Sequence, residues 1–377
     1  MFGWKAAEYL YIIFVSTVFT YATIKFAETM HVKKELFYAF MLNPFVLIMG
    51  LNVGTELIAL ALLELFIISI VKKTIKSGIW FGLMALTRYN FVLFFPLLLF
   101  LRSFKHITLA IILMVSLFLP WFAYNYYASD NMLTSIGNSY ALNVKFRDYL
   151  NEAPHMVDIL IVGNYLIVFG LLGIYKKNNI IMFLTLLIVL SLYVITPVKE
   201  ARYLFPFILP LSYFTYYTIQ KADVYKIIML NIFIMVALFL LMPIEYFVLM
   251  NEKNYPVYQA ECMTTSNLWV YLNYHGVPSY PEIRKEEYKN YIEDGYRIVL
   301  YKYVHNKPNV VRYPVIEENE FFVVIGKNET CKEFENVTEP YLIRLNRTIS
   351  RLKNKSIETD PCVILIKNRE LCKVFGS

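Results

Sequence analysis

The first 250 residues consist of long apolar runs that are separated by short polar connections. Crossing the hydrocarbon layer of a bilayer takes about 20 apolar residues in a helix. The runs that approach this length are 8–27, 35–51, 55–71, 78–101, 107–127, 157–175, 179–197, 203–220 and 226–250. We therefore predict a mainly α fold, in which residues 1–250 form a polytopic bundle of membrane helices.

The composition of the chain agrees with this division. The chain is 58% hydrophobic and 17% charged, whereas a soluble domain carries about 25% charged residues. Residues 251–377 have the polarity of an ordinary water-soluble sequence, so we predict a separate domain there. We attribute the net charge of +7 to the excess of Lys and Arg in cytoplasmic loops. No nucleic acid partner is expected.

Basic residues in the short connections indicate which loops are cytoplasmic. They are Lys33, Lys34, Lys72, Lys73, Lys76, Arg102, Lys105, Lys176, Lys177, Lys221 and Lys226. Two of these connections flank the single segment 78–101. If this segment crossed the membrane fully, one of the two connections would lie on the outer side instead of the cytoplasmic side. The polar residues Thr87-Arg88-Tyr89-Asn90 interrupt that segment, and each arm rises only about 15 Å, half of the hydrocarbon layer. We predict a re-entrant helical hairpin with Arg88 at its outward tip.

This hairpin places both chain termini on the outer side of a multi-pass protein of the cell membrane. The residues that bear on the outer location are the cysteines Cys262, Cys331, Cys362 and Cys372 and the glycosylation sequons at Asn328, Asn336, Asn346 and Asn354, all beyond residue 251. An even number of cysteines in an extracytoplasmic domain suggests two disulfides, with three pairings open. A zinc site is the alternative.

Residues 251–377 also show the patterns of a small α/β domain. Thr265 or Ser266 is expected to cap a helix that runs to Tyr274 and ends at Gly276. Short strands are predicted at Arg297–Tyr303, Val310–Val315, Phe321–Gly326 and Cys362–Lys367, and a second helix at Pro340–Lys353. We expect this domain to bind an acceptor or to cap the membrane part.

Charged side chains gather where the outward loops are expected to meet the membrane. They are Glu56, Glu64, Arg88, Lys199 and Arg202, with Tyr203 beside them. Glu56 begins a helix, where the dipole favours a carboxylate; the alternative is that it holds a divalent metal or acts as a general base. Glu64 lies two turns deeper and is a candidate functional residue because of that depth. Basic groups beside a carboxylate suit an anionic lipid headgroup, although plain attraction to lipid phosphates is the simpler interpretation.

The order of motifs resembles the GT-C class of polyprenyl-phosphate-sugar glycosyltransferases, especially its protein mannosyltransferase and aminoarabinose transferase branch. The motifs are Asn43-Pro44 with Thr55-Glu56, Gly82-Leu83-Met84-Ala85-Leu86-Thr87-Arg88-Tyr89, Leu119-Pro120-Trp121, and Glu200-Ala201-Arg202-Tyr203-Leu204-Phe205-Pro206. The resemblance covers most of residues 1–250.

The resemblance implies an inverting sugar transfer on the outer face, from a polyprenyl-phosphate sugar donor to an acceptor that the sequence does not identify. Arg88 and Arg202, with Lys199, would neutralise the leaving phosphate. Glu56 matches an acidic residue that helps to hold a divalent metal in some relatives.

One departure from this class concerns the start of the chain. Members of the class begin with one more helix and a first outer loop that carries catalytic acids, whereas Met1 falls where that loop should be ending. Glu8 is the only acid before the first apolar run. We therefore expect little independent transferase activity, because the chain is truncated, a partner supplies the segment, or catalysis has been lost. The rival functions are a non-catalytic lipid-phosphate-binding or scaffold protein and a transporter, which would need a polar path and inverted repeats.

Overall fold

The computed structural model describes residues 4–50, 54–101, 103–129, 131–137, 154–196, 201–241, 256–283, 285–302 and 313–335. The fold is mainly helical with one small sheet. It divides into two compact units, one within Met1–Leu238 and the other within Phe239–Glu358. The predicted boundary at residue 250 lies outside the described residues and stays a prediction.

The first unit contains helices joined by short connections. The α-helices are α1 (Trp4–Thr29), α2 (Lys34–Met41), α3 (Pro44–Gly50), α4 (Glu56–Val71), α5 (Ser77–Thr87), α6 (Phe104–Ser129), α7 (Met156–Gly163), α8 (Tyr165–Lys176), α9 (Ile180–Ile195), α10 (Ile208–Thr218) and α11 (Val224–Leu241). The described part of the unit also contains two 3₁₀ helices, Tyr89–Phe100 and Ala201–Phe207.

Two helices in the described part of the chain are long and apolar enough to cross a membrane, Ala6–Thr29 and Phe104–Ala128. A third span is added if α7 and α8, which meet at an angle of 82°, count as one. Large apolar side chains project from both long helices, among them Phe14 on α1 and Ile112 and Leu119 on α6. Exposed apolar faces of this size are typical of surfaces that meet lipid. The described residues therefore include helices that could span a membrane, and the larger number of passes stays a prediction.

Helix α4 forms the centre of the first unit. It packs against α1 and α5, and nearly all of its side chains are buried. A helix that is apolar on every side must be surrounded by other elements or by lipid. Consequently the two carboxyl groups of α4, Glu56 and Glu64, are both enclosed by protein.

Two segments that we predicted as single helices are broken, so those predictions are wrong. In 35–51 the break lies at Asn43, whose side chain accepts a hydrogen bond from the Phe45 amide (2.8 Å) just before Pro44 begins α3. Asn is a favoured N-cap and Pro a favoured first helical residue. In 157–175 the break is Asn164, whose φ of 39° and ψ of −130° lie outside the helical region.

The break predicted within 78–101 is confirmed. Helix α5 ends at Thr87, whose hydroxyl donates to the Leu83 carbonyl oxygen (2.7 Å), a bond that tends to bend helices. Arg88 is extended, with φ −144° and ψ 110°. The 3₁₀ helix Tyr89–Phe100 follows and includes Pro96, whose missing amide proton disfavours a regular α-helix.

Glycines allow two helix pairs to approach closely. A Cβ atom at Gly78 would overlap the carbonyl oxygen of Ala110, so α5 and α6 meet backbone to backbone at this point. A Cβ atom at Gly173 would likewise overlap the carbonyl oxygen of Phe214 in α10. Small residues at such crossings are typical of helix packing in membranes.

The second unit contains a five-stranded mixed sheet. Its elements are β1 (Thr264–Ser266), α12 (Trp269–Tyr274), β2 (Ser279–Pro281), a 3₁₀ turn (Lys285–Glu287), α13 (Tyr288–Glu293), β3 (Arg297–Tyr301), β4 (Val315–Glu318) and β5 (Phe322–Ile325). The strand order is β2-β1-β3-β5-β4. Strand β1 is parallel to both β2 and β3, whereas β5 is antiparallel to β3 and β4.

Alternate side chains of β3 enter different cores, as a strand covered on both faces requires. Val299 and Tyr301 pack in a cluster with Leu272 of α12. Ile298 and Leu300 pack in another cluster with Ile292 of α13. The small α/β domain that we predicted is therefore present.

Several details of this domain differ from the prediction. Strands β3 and β5 and the end of α12 at Gly276, whose φ is +82°, are confirmed. The cap was wrong, because Thr265 and Ser266 belong to β1 and Leu268 precedes α12 instead. Of the predicted strand Val310–Val315, residues 310–312 lie outside the described residues, and Val315 is the first residue of β4. The predicted elements Pro340–Lys353 and Cys362–Lys367 fall in a part of the chain that the structure does not describe.

Candidate functional site

An ion pair joins the start of α4 to the break after α5. Nη1 of Arg88 donates to Oε1 of Glu56 over 3.2 Å, and the two side chains are 12% and 9% exposed. A charge-assisted hydrogen bond in such an enclosed place is stronger than one at an open surface. The structure thus brings two of the predicted site residues together.

Tyr203 is the third member of the site. The guanidinium carbon of Arg88 lies 5.8 Å from the centre of the Tyr203 ring, and that of Arg202 lies 5.6 Å from it. Both distances are in the range of a cation–π interaction. The two predicted phosphate-binding arginines therefore contact the same aromatic ring.

Residues that the sequence had not indicated hold Glu56 in place. The Glu56 carboxylate folds back over Gly54, where a Cβ atom would overlap Oε2. The Gly54 carbonyl oxygen in turn accepts a hydrogen bond of 2.7 Å from the hydroxyl of Tyr11 on α1. Glu56 is the first residue of α4, where a carboxylate is favoured by the helix dipole.

The charges of the site favour an anion. Among the described residues of the site, Arg88 and Arg202 carry two positive charges and Glu56 one negative charge, and Arg202 is exposed. A planar guanidinium matches the oxygens of a phosphate group in a bidentate manner. Lys199, the remaining predicted phosphate ligand, is not among the described residues.

The described residues do not fit a protein-held metal at Glu56. Within the described ranges, no three His, Cys, Asp or Glu side chains are placed to hold a metal ion together. In addition, the carboxylate oxygen Oε1 faces a guanidinium, which repels a cation. The chemistry proposed for this site therefore assigns no role to a metal ion.

Glu64 is separate from this ion pair. Glu64 is completely buried. The Thr23 hydroxyl lies 3.0 Å from its Oε1 and 3.1 Å from its Oε2. One hydroxyl proton is shared between the two oxygens. The bond links α1 and α4 at their buried faces, where burial of a carboxyl group without a partner would be costly.

A second polar cluster, which the sequence analysis missed, lies at the start of α7 and the end of α9. The Tyr193 hydroxyl donates to Oδ2 of Asp158 over 2.6 Å, and Nδ1 of His155 lies 3.8 Å from the same oxygen. The spacing of His155 and Asp158, three residues apart, could have indicated the pair. Tyr193 carried no such signal.

One of the two predicted disulfides is present in the described part of the second unit. Cys262 and Cys331 form a disulfide with a sequence separation of 69, so the zinc alternative is wrong for these two sulfurs. Asn328 is exposed in a turn, as an acceptor of glycosylation must be. The partners of Cys362 and Cys372 and the sequons at Asn336, Asn346 and Asn354 lie beyond the described residues.

No family model, curated protein or solved structure matches the chain.

Proposed function

We propose that this protein binds a polyprenyl-phosphate sugar at the outer face of a membrane and acts as a GT-C-type sugar transferase. The observation that carries the proposal is the meeting of Glu56, Arg88 and Tyr203. They come from three separate sequence motifs, and these are the motifs on which the resemblance to that class rests. Ionisable residues enclosed in an apolar membrane unit mark a candidate functional site.

In this proposal the two arginines bind the donor phosphate. Arg88 and Arg202 flank the Tyr203 ring, and their charges neutralise the phosphate that leaves when the sugar is transferred. Stabilising the charge that develops on a leaving group is a main source of catalytic power. Glu56 orients Arg88 and keeps it charged in an enclosed place.

The proposal includes a re-entrant course for segment 78–101. Helix α5 has 11 residues and the following 3₁₀ helix has 12, which correspond to about 16 Å and about 24 Å. Neither arm crosses a hydrocarbon layer of about 30 Å. A turn at Arg88 then leaves its guanidinium within the layer, where a charged side chain requires a partner such as Glu56.

This course keeps both termini of the chain extracytoplasmic in the cell membrane, as the distribution of basic residues indicates. The disulfide between Cys262 and Cys331 supports the same side for the second unit, because disulfides persist in oxidising compartments. The second unit would then act as the acceptor-binding module.

A non-catalytic lipid-phosphate-binding protein is the second candidate. It is favoured by one observation, namely that the carboxylate of Glu56 is paired with Arg88. Such a protein would bind the lipid through the same arginines without transferring a sugar. A transporter has less support, because in the described part of the membrane unit Glu64 is a single deeply buried carboxyl group and forms no path of polar residues.

Lipid binding by purified protein tests the proposal. We expect polyprenyl phosphate to bind in nanodiscs, and polyprenol of the same chain length to bind at least tenfold more weakly, because the phosphate is the group recognised. Arg88→Ala and Arg202→Ala should each weaken phosphate binding about tenfold or more, the loss of about 1.4 kcal/mol.

Lys177→Ala is the matched control. Its ammonium lies 5.2 Å from the centre of the Tyr217 ring, so it removes a cation–π pair elsewhere in the same unit. Equal affinity for the phosphate and the alcohol, or unchanged binding in both arginine variants, would refute the site. Release of polyprenyl phosphate from a polyprenyl-phosphate sugar then separates the transferase from the non-catalytic protein.

A further inference from the structure

His155, Asp158 and Tyr193 form a compact set of titratable groups that the proposed phosphate site does not use. The three side chains differ in their burial. Tyr193 is 1% exposed, the Asp158 side chain is 14% exposed, and that of His155 is 51% exposed. A buried hydroxyl thus fixes a nearly buried carboxylate, and the carboxylate faces an imidazole that is open to its surroundings.

Backbone contacts hold this cluster together as well. The His155 amide donates to the Tyr193 hydroxyl oxygen over 3.3 Å. Tyr193 therefore connects to both ends of the turn that begins α7. This arrangement restricts where the imidazole of His155 can lie, which a group that must meet a substrate requires.

The helices that carry the cluster pack against an element of the candidate phosphate site. Both α7 and α9, which carry its members, pack against the 3₁₀ helix Ala201–Phe207. That same short helix carries Arg202 and Tyr203, and it also contacts α4, which begins at Glu56. One seven-residue element is thus in contact with both helices of the His–Asp cluster and with the helix that begins at Glu56.

An exposed histidine beside a fixed carboxylate has the chemistry of a general base. The imidazole accepts a proton, and the carboxylate stabilises the imidazolium that forms. The carboxylate of Glu56, in contrast, is already paired with Arg88. A sugar transfer to a hydroxyl needs a base that can reach the donor, and His155 is an exposed imidazole at the start of a helix that packs against the element carrying Arg202.

We propose that His155 is the general base that activates the acceptor hydroxyl, and that Asp158 and Tyr193 are positioning residues for it. This inference rests on the proposed transferase function. The acceptor O–H bond breaks and its proton moves to Nε2 of His155. The acceptor oxygen bonds to the anomeric carbon, while the bond from that carbon to the phosphate oxygen breaks. The electron pair of the broken bond leaves with polyprenyl phosphate, which faces Arg88 and Arg202.

The test measures release of polyprenyl phosphate by the full-length protein in nanodiscs. The donors are polyprenyl-phosphate mannose, glucose and aminoarabinose, and the acceptors are water and a peptide that contains serine and threonine. We expect His155→Ala to lower kcat about 100-fold or more with no change in donor binding. Added imidazole should restore a measurable part of the rate, which a purely structural role of His155 does not allow.

Further variants separate positioning from folding. Asp158→Asn and Tyr193→Phe keep the shape of their side chains and should lower kcat by smaller factors, again without a change in donor binding. His106→Ala is the control, because His106 also bonds to a neighbour at the start of a helix, Ser103 (2.7 Å), and should leave the rate unchanged.

The outcomes distinguish this inference from the proposed function. A rate of His155→Ala within twofold of the wild type, or a lower rate that imidazole does not restore, would overturn the role of His155. Binding that depends on Arg88 without any turnover by the wild type would also overturn it, while supporting the non-catalytic lipid-binding protein. Failure of the wild type to bind polyprenyl phosphate would instead refute the phosphate site.

Discussion

Arg88 donates a hydrogen bond to Glu56, a residue 32 positions earlier in the chain. Arg88 is the residue that follows α5, at the interruption of the apolar segment. The bond therefore connects this interruption to the start of α4, where Glu56 lies. A helix break inside an apolar unit exposes polar backbone groups and a charge. The carboxylate of Glu56 compensates the charge, so the break and the ion pair are parts of one feature.

Replacing Glu56 by Gln should destabilise the first unit. Arg88 then loses a charged hydrogen-bond acceptor in a largely buried place, which costs about 2 kcal/mol in the free energy of unfolding. Arg88→Gln should have a similar effect, and the double variant should cost less than the two single variants added together. Unfolding in mixed detergent micelles, followed by circular dichroism, measures this coupling.

Glu28→Gln is the matched control for this ion pair. It removes an ion pair of 2.8 Å with Lys25 in which both side chains are about half exposed to solvent, at 44% and 45%. Solvent screens such a pair, so no measurable change is expected. If the losses in the free energy of unfolding caused by the Glu56 and Arg88 variants simply add up in the double variant, the two residues do not interact directly.

Thr23→Val should destabilise the contact between α1 and α4. The substitution keeps the volume of the side chain but removes the hydroxyl that donates to the fully buried Glu64, at a cost of about 1–3 kcal/mol. Glu64→Gln should be milder, because the amide oxygen still accepts the same bond. The same unfolding measurement compares the two variants, and a larger loss for Glu64→Gln would argue against the Thr23 bond as the main contribution.

Gly78→Ala should disrupt the crossing of α5 and α6. The added methyl group meets the backbone carbonyl of Ala110, which cannot move without shifting a helix, so we expect a loss of about 2–3 kcal/mol. Gly82→Ala is the control on the same helix, because its nearest neighbour is a side-chain carbon of Leu117 at 2.9 Å, which can rotate away. Equal thermal stability of the two variants would exclude this backbone contact.

Removing the disulfide should destabilise the second unit while the first is retained. A sequence separation of 69 between Cys262 and Cys331 corresponds to about 4 kcal/mol from the restriction of the unfolded chain. We expect Cys262→Ala, or treatment with dithiothreitol, to make this unit sensitive to proteases. Cys372→Ala should leave the Cys262–Cys331 crosslink detectable by peptide mapping under non-reducing conditions. A protease-resistant Cys262→Ala protein would contradict this role of the crosslink.

Sequence patterns predicted the elements whose signals are local. The polar group around Arg88 marked a true break, and the β-branched residues of Arg297–Tyr301 marked a true strand. The breaks at Asn43 and Asn164 were missed, because one polar residue in an apolar run does not outweigh its average hydropathy. Strand β1 was missed because it has three residues and depends on parallel neighbours on both sides.

The candidate site could be predicted only as a group of residue types. The motifs indicated that Glu56, Arg88, Arg202 and Tyr203 are important, but not that Glu56 would bond to Arg88 or that one ring would contact both arginines. Those relationships depend on how α4, α5 and a 3₁₀ helix pack together. Tyr193 and Asp158, which are 35 positions apart, were missed for the same reason.

The disulfide of the second unit also determines how mechanical load passes through the chain. Strands β1 to β5 all lie between Cys262 and Cys331. Tension that reaches this region along the backbone from either side therefore runs through the sulfur–sulfur bond and bypasses the sheet. In an oxidising environment, pulling on the chain leaves the five-stranded fold without strain. After reduction, the same force would unravel the strands and lengthen the chain by the whole enclosed segment.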